Sequence, residues 1–385
     1  MNEVFLPFSR PTISEEAIQE VVDSLRSGWI TTGPKVQRFE EQLKTYLGAP
    51  HILSLAHATA GLHLSLLALR LQPGDEVITT TMTFAATANM IVAAGGKPVF
   101  VDVNLHTYNM DITQVETAIT PNTKCIIPVH FAGLPVDLDP LYTLAKKYNL
   151  TIIEDAAHAI GAEYKGKKIG SFGDTQVFSF HPNKNMTTGE GGCLTTSSES
   201  MAKEVQLLRF HGMDRTAWNR YGKSGTQDYE IIAPGFKYNM MDIQAAIGLH
   251  QVPHLDEFNA KRRVLAERYQ ALLNDWNEFA LPQSVAYQHK HVWHLFTPLI
   301  NPEAAGMNRE TFMMRMKEEN IGTGLHYRAV HLYPYYQEHY GYRLGDFPCA
   351  ESISARIVSL PLFPLMTFDE QDRVIATMKK IFNRN

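Results

Sequence analysis

The stretch Leu150-Thr151-Ile152-Ile153-Glu154-Asp155-Ala156-Ala157-His158 joins a short apolar run to a group of polar and small residues. A run of this length, with β-branched residues, predicts a buried strand over residues 150–154. Buried strands of this kind are typical of parallel sheets that are covered by helices on both faces. The residues that follow then lie at the carboxyl end of the strand, where such sheets bind ligands.

The same pattern recurs on both sides of this stretch, and it alternates with segments whose apolar residues have helical spacing. Three more strands are predicted at residues 75–80, 98–102 and 124–129. Helices are predicted at residues 15–25, 36–47, 85–94 and 139–148. Repeated strand–helix–strand units predict an α/β fold built around a mostly parallel sheet.

The pattern changes after residue 250, where an amphipathic helix at residues 255–273 leads into loops rich in Pro, Tyr and His. We therefore predict a large domain over residues 14–250. A smaller C-terminal domain is predicted over residues 251–385, together with residues 1–13. A length of 385 residues suits two domains, because a single hydrophobic core rarely grows to that size.

The composition indicates an ordinary globular protein. The formal net charge is −5 and basic residues are scattered, so broad affinity for nucleic acid is not expected. No signal peptide is expected from the N-terminal residues, and no window has the apolar length of a membrane span. Cys125, Cys193 and Cys349 are far apart and lack metal-site spacing, which favours buried thiols in a reducing cytoplasm.

Two residues suggest chemistry that depends on pyridoxal phosphate. This cofactor needs a lysine amine for covalent attachment and a carboxylate for its pyridine nitrogen. Asp155 ends the predicted strand and precedes Lys184 by 29 residues (184 − 155), and Lys184 follows a predicted strand at residues 177–180. Each residue alone has an ordinary explanation, since acids at strand ends are often helix N-caps and loop lysines are usually surface charges.

The phosphate of such a cofactor also needs hydrogen-bond donors. Small residues after a strand-like segment at 52–54 open an apolar helix, so the backbone at Thr59 and Ala60 can face an anion. Ser179 can add a hydroxyl. A capped helix without any ligand is the alternative for this stretch.

An aromatic ring and a partner for the cofactor's phenolic oxygen complete the set. Phe84 is the candidate ring, although aromatic residues in such places usually belong to the core. His158, one helical turn beyond Asp155, is the candidate hydrogen-bond partner, and a purely structural histidine is the alternative.

Several motifs spread over the chain follow the pattern of one family. They are residues 27–34 (SGWITTGP), 153–158 (IEDAAH), 178–181 (FSFH) with 184–185 (KN), 188–192 (TGEGG), and 236–239 (FKYN) with Asp242. Through them the chain resembles the sugar-nucleotide aminotransferases of the DegT/DnrJ/EryC1/StrS family over nearly its whole length. The resemblance implies an aspartate-aminotransferase-like fold (fold type I), with a central, mostly parallel sheet of seven strands and a smaller α+β C-terminal domain.

The same resemblance implies roles for individual residues. Lys184 would attach pyridoxal 5′-phosphate and move the substrate proton, and Asp155 would contact the pyridine nitrogen. The phosphate would be held by Thr59, Ala60 and Ser179. Asn239 would reach the phosphate of the neighbouring subunit's cofactor, which makes a homodimer the expected active unit. No metal ion is expected.

The substrates are also implied by resemblance. Segments 5–11, 294–296, 321–328 and 359–364 are similar to the branch that moves the amino group of glutamate to a UDP-4-keto pentose, releasing 2-oxoglutarate. That branch serves lipid A modification and cell-surface polysaccharides. The expected substrate contacts, whose donors and cations suit anionic ligands, are Trp29, Thr31, Arg215, His326, Arg328 and His331.

Alternatives remain beside this reading. Phe84 stands where the pentose branch carries Trp, and the loop before Lys184 contains Pro182 and Asn183. These departures leave a 4-keto-6-deoxyhexose, or a 3-keto hexose, on UDP or dTDP as the other substrate. A related sugar dehydratase would carry His in place of Lys184, and a non-catalytic regulator would be expected to lose Lys184 or Asp155.

Overall fold

The computed structural model describes residues 4–214 and 229–384. Its strands, in chain order, are β1 (His51–Leu55), β2 (Glu76–Thr80), β3 (Lys97–Val101), β4 (Thr123–Ile127), β5 (Thr151–Asp155), β6 (Glu163–Tyr164), β7 (Lys167–Lys168), β8 (Thr175–Ser179), β9 (Gly192–Thr196), β10 (Phe279–Ala280), β11 (His289–Lys290) and β12 (Leu299–Ile300).

Seven of these strands form the main sheet, in the order β1-β9-β8-β5-β4-β2-β3. The pairs from β8 across to β3 are parallel. β9 runs antiparallel to both of its neighbours, β1 and β8. The predicted mostly parallel sheet of seven strands is therefore confirmed.

The helices surround this sheet and form much of the C-terminal part. They are α1 (Glu15–Ser27), α2 (Pro34–Leu47), α3 (Ala58–Ala68), α4 (Ala85–Ala93), α5 (Ile112–Ala118), α6 (Leu138–Tyr148), α7 (Glu199–Leu208), α8 (Asp242–Leu249), α9 (Leu255–Leu273), α10 (Pro302–Ala305), α11 (Arg309–Glu318), α12 (Pro334–Tyr340), α13 (Pro348–Arg356) and α14 (Phe368–Phe382). The helices and strands predicted from the sequence all end within two residues of these bounds.

Local capping explains where several helices begin and end. The Ser14 side chain accepts a hydrogen bond from the amide of Ala17 at the start of α1, and Gly28 closes that helix with φ at +74°. The Thr367 side chain and Glu370 form a reciprocal capping box at the start of α14. Such caps satisfy amides that have no partner inside the helix.

Alternate residues of the central strands pack into two cores on opposite faces of the sheet, as the period of two in a strand requires. On β5, Ile152 belongs to the core that includes α2, α6 and α8. The next residue, Ile153, belongs to the core that includes α3 and α7. The central strand is therefore buried on both faces, as its apolar run indicates.

A further apolar core joins Leu6 to buried residues between Leu265 and Ile381. It lies in the part predicted as the smaller domain, and the boundary at residue 251 stays a prediction. Another core packs residues that follow β2 and β4 against α12 and α13. This contact brings the C-terminal part to the carboxyl edge of the sheet.

The described residues contain neither a membrane-spanning helix nor a cluster of metal-binding side chains. None of the helices in residues 4–214 and 229–384 is long and apolar enough to cross a membrane. Over the same residues, no group of three or more His, Cys, Asp and Glu side chains is placed to hold a metal ion.

Candidate active site

A cavity of about 530 Å³ opens at the carboxyl edge of the sheet, where β2, β5 and β8 end. The residues around it come from both halves of the chain. Those predicted for the site that line it are Thr59, Phe84, Asp155, His158, Ser179, Lys184 and His326. The sheet topology produces this meeting, because parallel strands end at one edge.

Asp155 is the last residue of β5 and is 6% exposed. The Thr87 hydroxyl donates to its Oδ2 at 2.7 Å, and the Ala157 amide donates to Oδ1 at 3.1 Å. Burial raises the pKa of this carboxyl, while the two donors and the charge of Lys184 act in the opposite direction. A cation in the cavity would favour the carboxylate form, as a protonated pyridine nitrogen would.

Lys184 follows the end of β8. Its backbone amide donates to the His181 carbonyl oxygen at 2.9 Å, which forms a turn. Burial lowers the pKa of its amine to about 8, with a smaller contribution from the charge of Arg262 and an opposing one from Asp155. At pH 7, such a pKa leaves roughly a tenth of the amine uncharged, far more than for an ordinary lysine. The amine is therefore prepared to act as a nucleophile and as a base.

His158 contacts other protein groups through both ring nitrogens. The amide of Ala132 donates to Nδ1 at 3.3 Å, so the proton of the neutral ring is on Nε2, which lies 2.9 Å from the Tyr327 hydroxyl. Burial keeps the ring neutral by lowering its pKa well below the usual value. The predicted direct bond from His158 to a cofactor oxygen is therefore not open in this arrangement. Tyr327 also lines the cavity, and its hydroxyl, not the His158 ring, is the group available to a cofactor oxygen.

The start of α3 forms the side of the cavity where the phosphate is expected. Thr59 and Ser179 line the cavity there. The prediction for Ala60 requires a correction, because Ala60 is fully buried and its amide already donates to Nδ1 of His57 at 2.9 Å. The start of β9 is close by: a Cβ on Gly192 would lie 2.6 Å from the amide nitrogen of Ala58.

Phe84 is 61% exposed and caps the start of α4 at the cavity rim. Its ring centroid lies 5.9 Å from that of Tyr327. The core alternative for this aromatic is wrong, since the ring faces the cavity and solvent. An exposed ring in this place is free to stack on a planar ligand.

The predicted substrate contacts in the C-terminal part separate into two groups. His326 lines the cavity, where its Nδ1 lies 2.8 Å from the Ser359 hydroxyl and burial lowers its pKa to about 3. His331 is fully buried and lies between the Thr81 hydroxyl at 2.6 Å and a Glu351 carboxylate oxygen at 3.0 Å. The prediction for His331 is thus not supported, because a short turn directs its ring into the protein.

Arg328 is exposed and does not line the cavity; its guanidinium donates to the Leu332 carbonyl at 2.8 Å and lies over the Tyr333 ring. Arg215 lies outside the described residues.

Trp29, Thr31 and Asn239 lie together at a different place. The first two are in the loop between α1 and α2, and the Thr31 carbonyl accepts a hydrogen bond from the amide of Asp242 at 3.1 Å. Asn239 accepts a hydrogen bond from Lys237 Nζ at 2.7 Å and lines a second cavity of about 360 Å³. Within one chain these residues do not reach the cavity of Lys184.

Four residues of the site were not predicted from the sequence. His57 caps α3, Thr87 supports Asp155, and Tyr327 and His294 approach Lys184 and His158 from the C-terminal part. Tyr327 and His294 lie in segments that carried the family resemblance, which was the available signal. An amine, a carboxylate, a helix start and an exposed ring around one cavity fit pyridoxal phosphate.

Comparisons with known proteins identify a family of aminotransferases to which the chain is similar. The DegT/DnrJ/EryC1/StrS aminotransferase family model matches residues 11–379. The chain is 45% identical to a UDP-4-amino-4-deoxy-L-arabinose–oxoglutarate aminotransferase of Shewanella sediminis, covering 99% of each chain. It is 44% identical to the spore coat polysaccharide biosynthesis protein SpsC of Bacillus subtilis, covering 98% of this chain and 97% of the relative.

A solved structure has the same fold. The pyridoxal phosphate form of Spr1654 from Streptococcus pneumoniae, assigned as a sugar aminotransferase, superimposes with a TM-score of 0.89 at 34% identity. The match covers 98% of this chain and 99% of that one.

Proposed function

Because the chain belongs to the DegT/DnrJ/EryC1/StrS aminotransferase family, and is a sugar aminotransferase dependent on pyridoxal phosphate, we propose that it moves the amino group of glutamate to the C4 ketone of a nucleotide sugar. A UDP-4-keto pentose is the proposed acceptor. The observation that carries the proposal is the meeting of Lys184 and Asp155 in one cavity at the edge of the sheet.

Lys184 and Asp155 divide the chemistry between them. Pyridoxal phosphate, when bound, withdraws electrons from the bonds of the substrate's amino-bearing carbon. Asp155 keeps the pyridine nitrogen protonated, and its two hydrogen-bond donors favour the carboxylate form that this role needs. Lys184 would be the covalent anchor, and its free Nζ would remove the Cα proton of glutamate.

The rest of the cavity binds and covers the ligands. Thr59 and Ser179 hold the phosphate beside the positive end of α3. Phe84 lies against the ring face and keeps water from it. Tyr327 offers its hydroxyl to the phenolic oxygen, since it accepts the proton of His158 and keeps its own.

A homodimer is the proposed active unit. Asn239 and Lys237 lie outside the Lys184 cavity of their own chain, which supports a role in the site of a neighbouring subunit. Exposed apolar side chains on and beside α1, which include Ile18, Leu25 and Ile30, offer a surface for the second copy.

The choice of sugar rests on two observations that point in different directions. The name of the Shewanella relative supports the pentose. Phe84, which lies at the cavity rim where the pentose branch is expected to carry Trp, supports a 4-keto-6-deoxyhexose as the second candidate. SpsC carries a name from spore coat polysaccharide biosynthesis, so its relatedness does not decide between the two.

A panel of acceptors tests the proposal. Purified protein is incubated with glutamate and either a UDP-4-keto pentose or a UDP- or dTDP-4-keto-6-deoxyhexose, and both 2-oxoglutarate and the amino sugar are measured. We expect an aminated pentose. Products from hexoses alone would establish the second candidate, and no 2-oxoglutarate with any acceptor would refute glutamate-dependent amination at C4.

Lys184→Ala is the control for the panel, with Lys165→Ala as its match on the surface. The wild-type protein and Lys165→Ala should be yellow and lose the colour with borohydride. Lys184→Ala should release any cofactor on gel filtration and give no product.

A further inference from the structure

Arg262 places a buried positive charge beneath the candidate site. It lies on α9, is 1% exposed, and its guanidinium donates to the carbonyl oxygens of His294 at 3.1 Å and Leu362 at 3.0 Å. In residues 4–214 and 229–384, no carboxylate forms an ion pair with it, and its Nε has no hydrogen-bond partner. A buried arginine normally has an acidic partner, because an uncompensated charge is costly to bury.

His294 stands between this charge and the reacting amine. Its backbone carbonyl accepts from Arg262, and its Nε2 lies 3.5 Å from Lys184 Nζ. The ring packs on His158 with centroids 4.4 Å apart, and its amide donates to the Ala132 carbonyl at 2.9 Å. Contacts with Arg262, His158 and Ala132 thus fix the position of His294. Because His294 lies between Arg262 and Lys184, it also fixes the distance between these two residues.

The histidine cannot itself take a proton in this place. It is 2% exposed, Arg262 lies on one side and Lys184 on the other, and its Nδ1 has no partner among the described residues. With the proton on Nε2, the neutral ring donates to an uncharged amine and leaves only a lone pair at Nδ1. The other tautomer would bury an N–H donor without an acceptor, which native structures rarely do.

We propose that Arg262 is a positioning residue whose fixed charge, held in place through His294, favours the uncharged form of the Lys184 amine against the opposing effect of Asp155. Arginine suits this task because it keeps its proton more readily than lysine or histidine: burial lowers the pKa of Arg262 to about 9, which still leaves it charged at pH 7. The role rests on the proposed function of Lys184 as the reacting amine.

Other groups near Lys184 must be counted in any pH effect. Asp155 acts against Arg262, because a carboxylate favours the charged amine. His158, His294, His326 and Tyr327 surround the amine and remain neutral at pH 7, since burial lowers the pKa of each imidazole and raises that of the phenol. Along the cavity wall lie His57, His181 and Glu190.

The test measures the charge state of Lys184 without any turnover. Full-length protein freed of cofactor is labelled with acetic anhydride over a range of pH, and the rate at Lys184 is read by mass spectrometry against surface Lys165. The wild-type rate should follow a pKa near 8. Arg262→Gln should raise that pKa by about one unit, which slows labelling at pH 7 roughly tenfold.

Arg262→Lys is the partial rescue variant: a buried lysine loses its proton more readily than arginine, so the rate should lie between those of Arg262→Gln and the wild type. Tyr269→Phe is the matched control: Tyr269 is also buried on α9, and its hydroxyl donates to the Pro361 carbonyl at 3.1 Å. This control loses a comparable hydrogen bond to the same segment, so it should lower stability and leave the Lys184 profile unchanged.

The proposal would be overturned if Arg262→Gln had the same pH profile of Lys184 labelling as the wild type. It would also be overturned if Tyr269→Phe shifted this profile as far as Arg262→Gln does. If Arg262→Gln does not fold, Arg262→Lys replaces it: a wild-type Lys184 pKa of about 10, or an Arg262→Lys profile equal to that of the wild type, would overturn the proposal. Because labelling involves neither sugar nor glutamate, a wrong sugar assignment leaves this result intact.

Discussion

The Tyr327 hydroxyl lies 2.9 Å from Nε2 of His158 and joins the C-terminal part of the chain to the end of β5. Since Ala132 occupies the other ring nitrogen, His158 is the donor in this bond and Tyr327 the acceptor. The phenol therefore keeps its own hydrogen for a ligand oxygen in the cavity.

Tyr327→Phe should destabilise the protein even without ligand. The substitution leaves the buried N–H of His158 without an acceptor, which costs about 1–3 kcal/mol of unfolding free energy. Urea unfolding of cofactor-free protein measures the loss. Tyr148→Phe is the control, because its hydroxyl contacts Glu116 in solvent, and it should change stability by less than about 0.5 kcal/mol. Equal effects of the two variants would contradict the assigned bond.

Asp155→Asn should abolish most turnover while the protein stays folded. The amide keeps the shape: its oxygen can still accept from the Ala157 amide and its NH2 group can donate to the Thr87 hydroxyl, but it cannot hold a proton on the pyridine nitrogen. We expect a fall in kcat of at least about 100-fold, a loss of a few kcal/mol in transition-state stabilisation. Asp139→Asn on the surface is the control. Wild-type turnover in Asp155→Asn would exclude this acid from the site.

Phe84→Ala should separate ligand binding from folding. The ring is 61% exposed, so its loss should alter the unfolding free energy of the free protein by no more than about 0.5 kcal/mol. The cofactor dissociation constant, followed by absorbance, should rise several-fold, because a stacked ring contributes about 0.5–1.5 kcal/mol. Phe84→Trp should retain binding. A drop in free-protein stability without a change in binding would show that Phe84 is structural.

The Lys184→Met variant should be more stable than the wild type when both lack cofactor. The folded pKa of Lys184, about 8, lies below its ordinary value of 10.5, so the unfolded chain binds more protons between these values. The buried amine therefore lowers the free energy of unfolding of the wild type most below pH 8, by up to about 3 kcal/mol. This loss shrinks as the pH rises towards 10.5. Chemical unfolding at pH 7 and pH 10 measures the gap, and a gap that does not shrink would contradict the burial of an amine.

The regular part of the fold could be predicted because each strand carries its own signal. Ile152 and Ile153 both read as core, and the sheet buries both, on opposite faces. The antiparallel strand β9 was not predicted, since Gly192 and its neighbours continue a glycine-rich loop without an apolar run. Its place is decided by pairing with β1 and β8, which local sequence does not reveal.

The site was predictable to the extent that it follows strand ends. Asp155 and Ser179 end β5 and β8, and the topology alone brings them together. His326 and His331 are close in sequence, yet only His326 reaches the cavity, because the turn at Val330–Leu332 sends the other ring towards Thr81. Which of the two histidines reaches the cavity thus depends on this turn and on the buried partners of His331, and local sequence does not reveal either.

The position of Lys184 between two distant parts of the chain has a consequence for synthesis on the ribosome. His294 follows it by 110 residues, and Tyr327 follows His158 by 169. While the first half of the chain emerges, the amine has neither neighbour and remains an ordinary, hydrated, charged lysine. Domains fold as they leave the ribosome, from the N-terminus onward. The sheet can therefore form early, but the pKa of the Lys184 amine falls only when the last third of the protein packs against it and buries it.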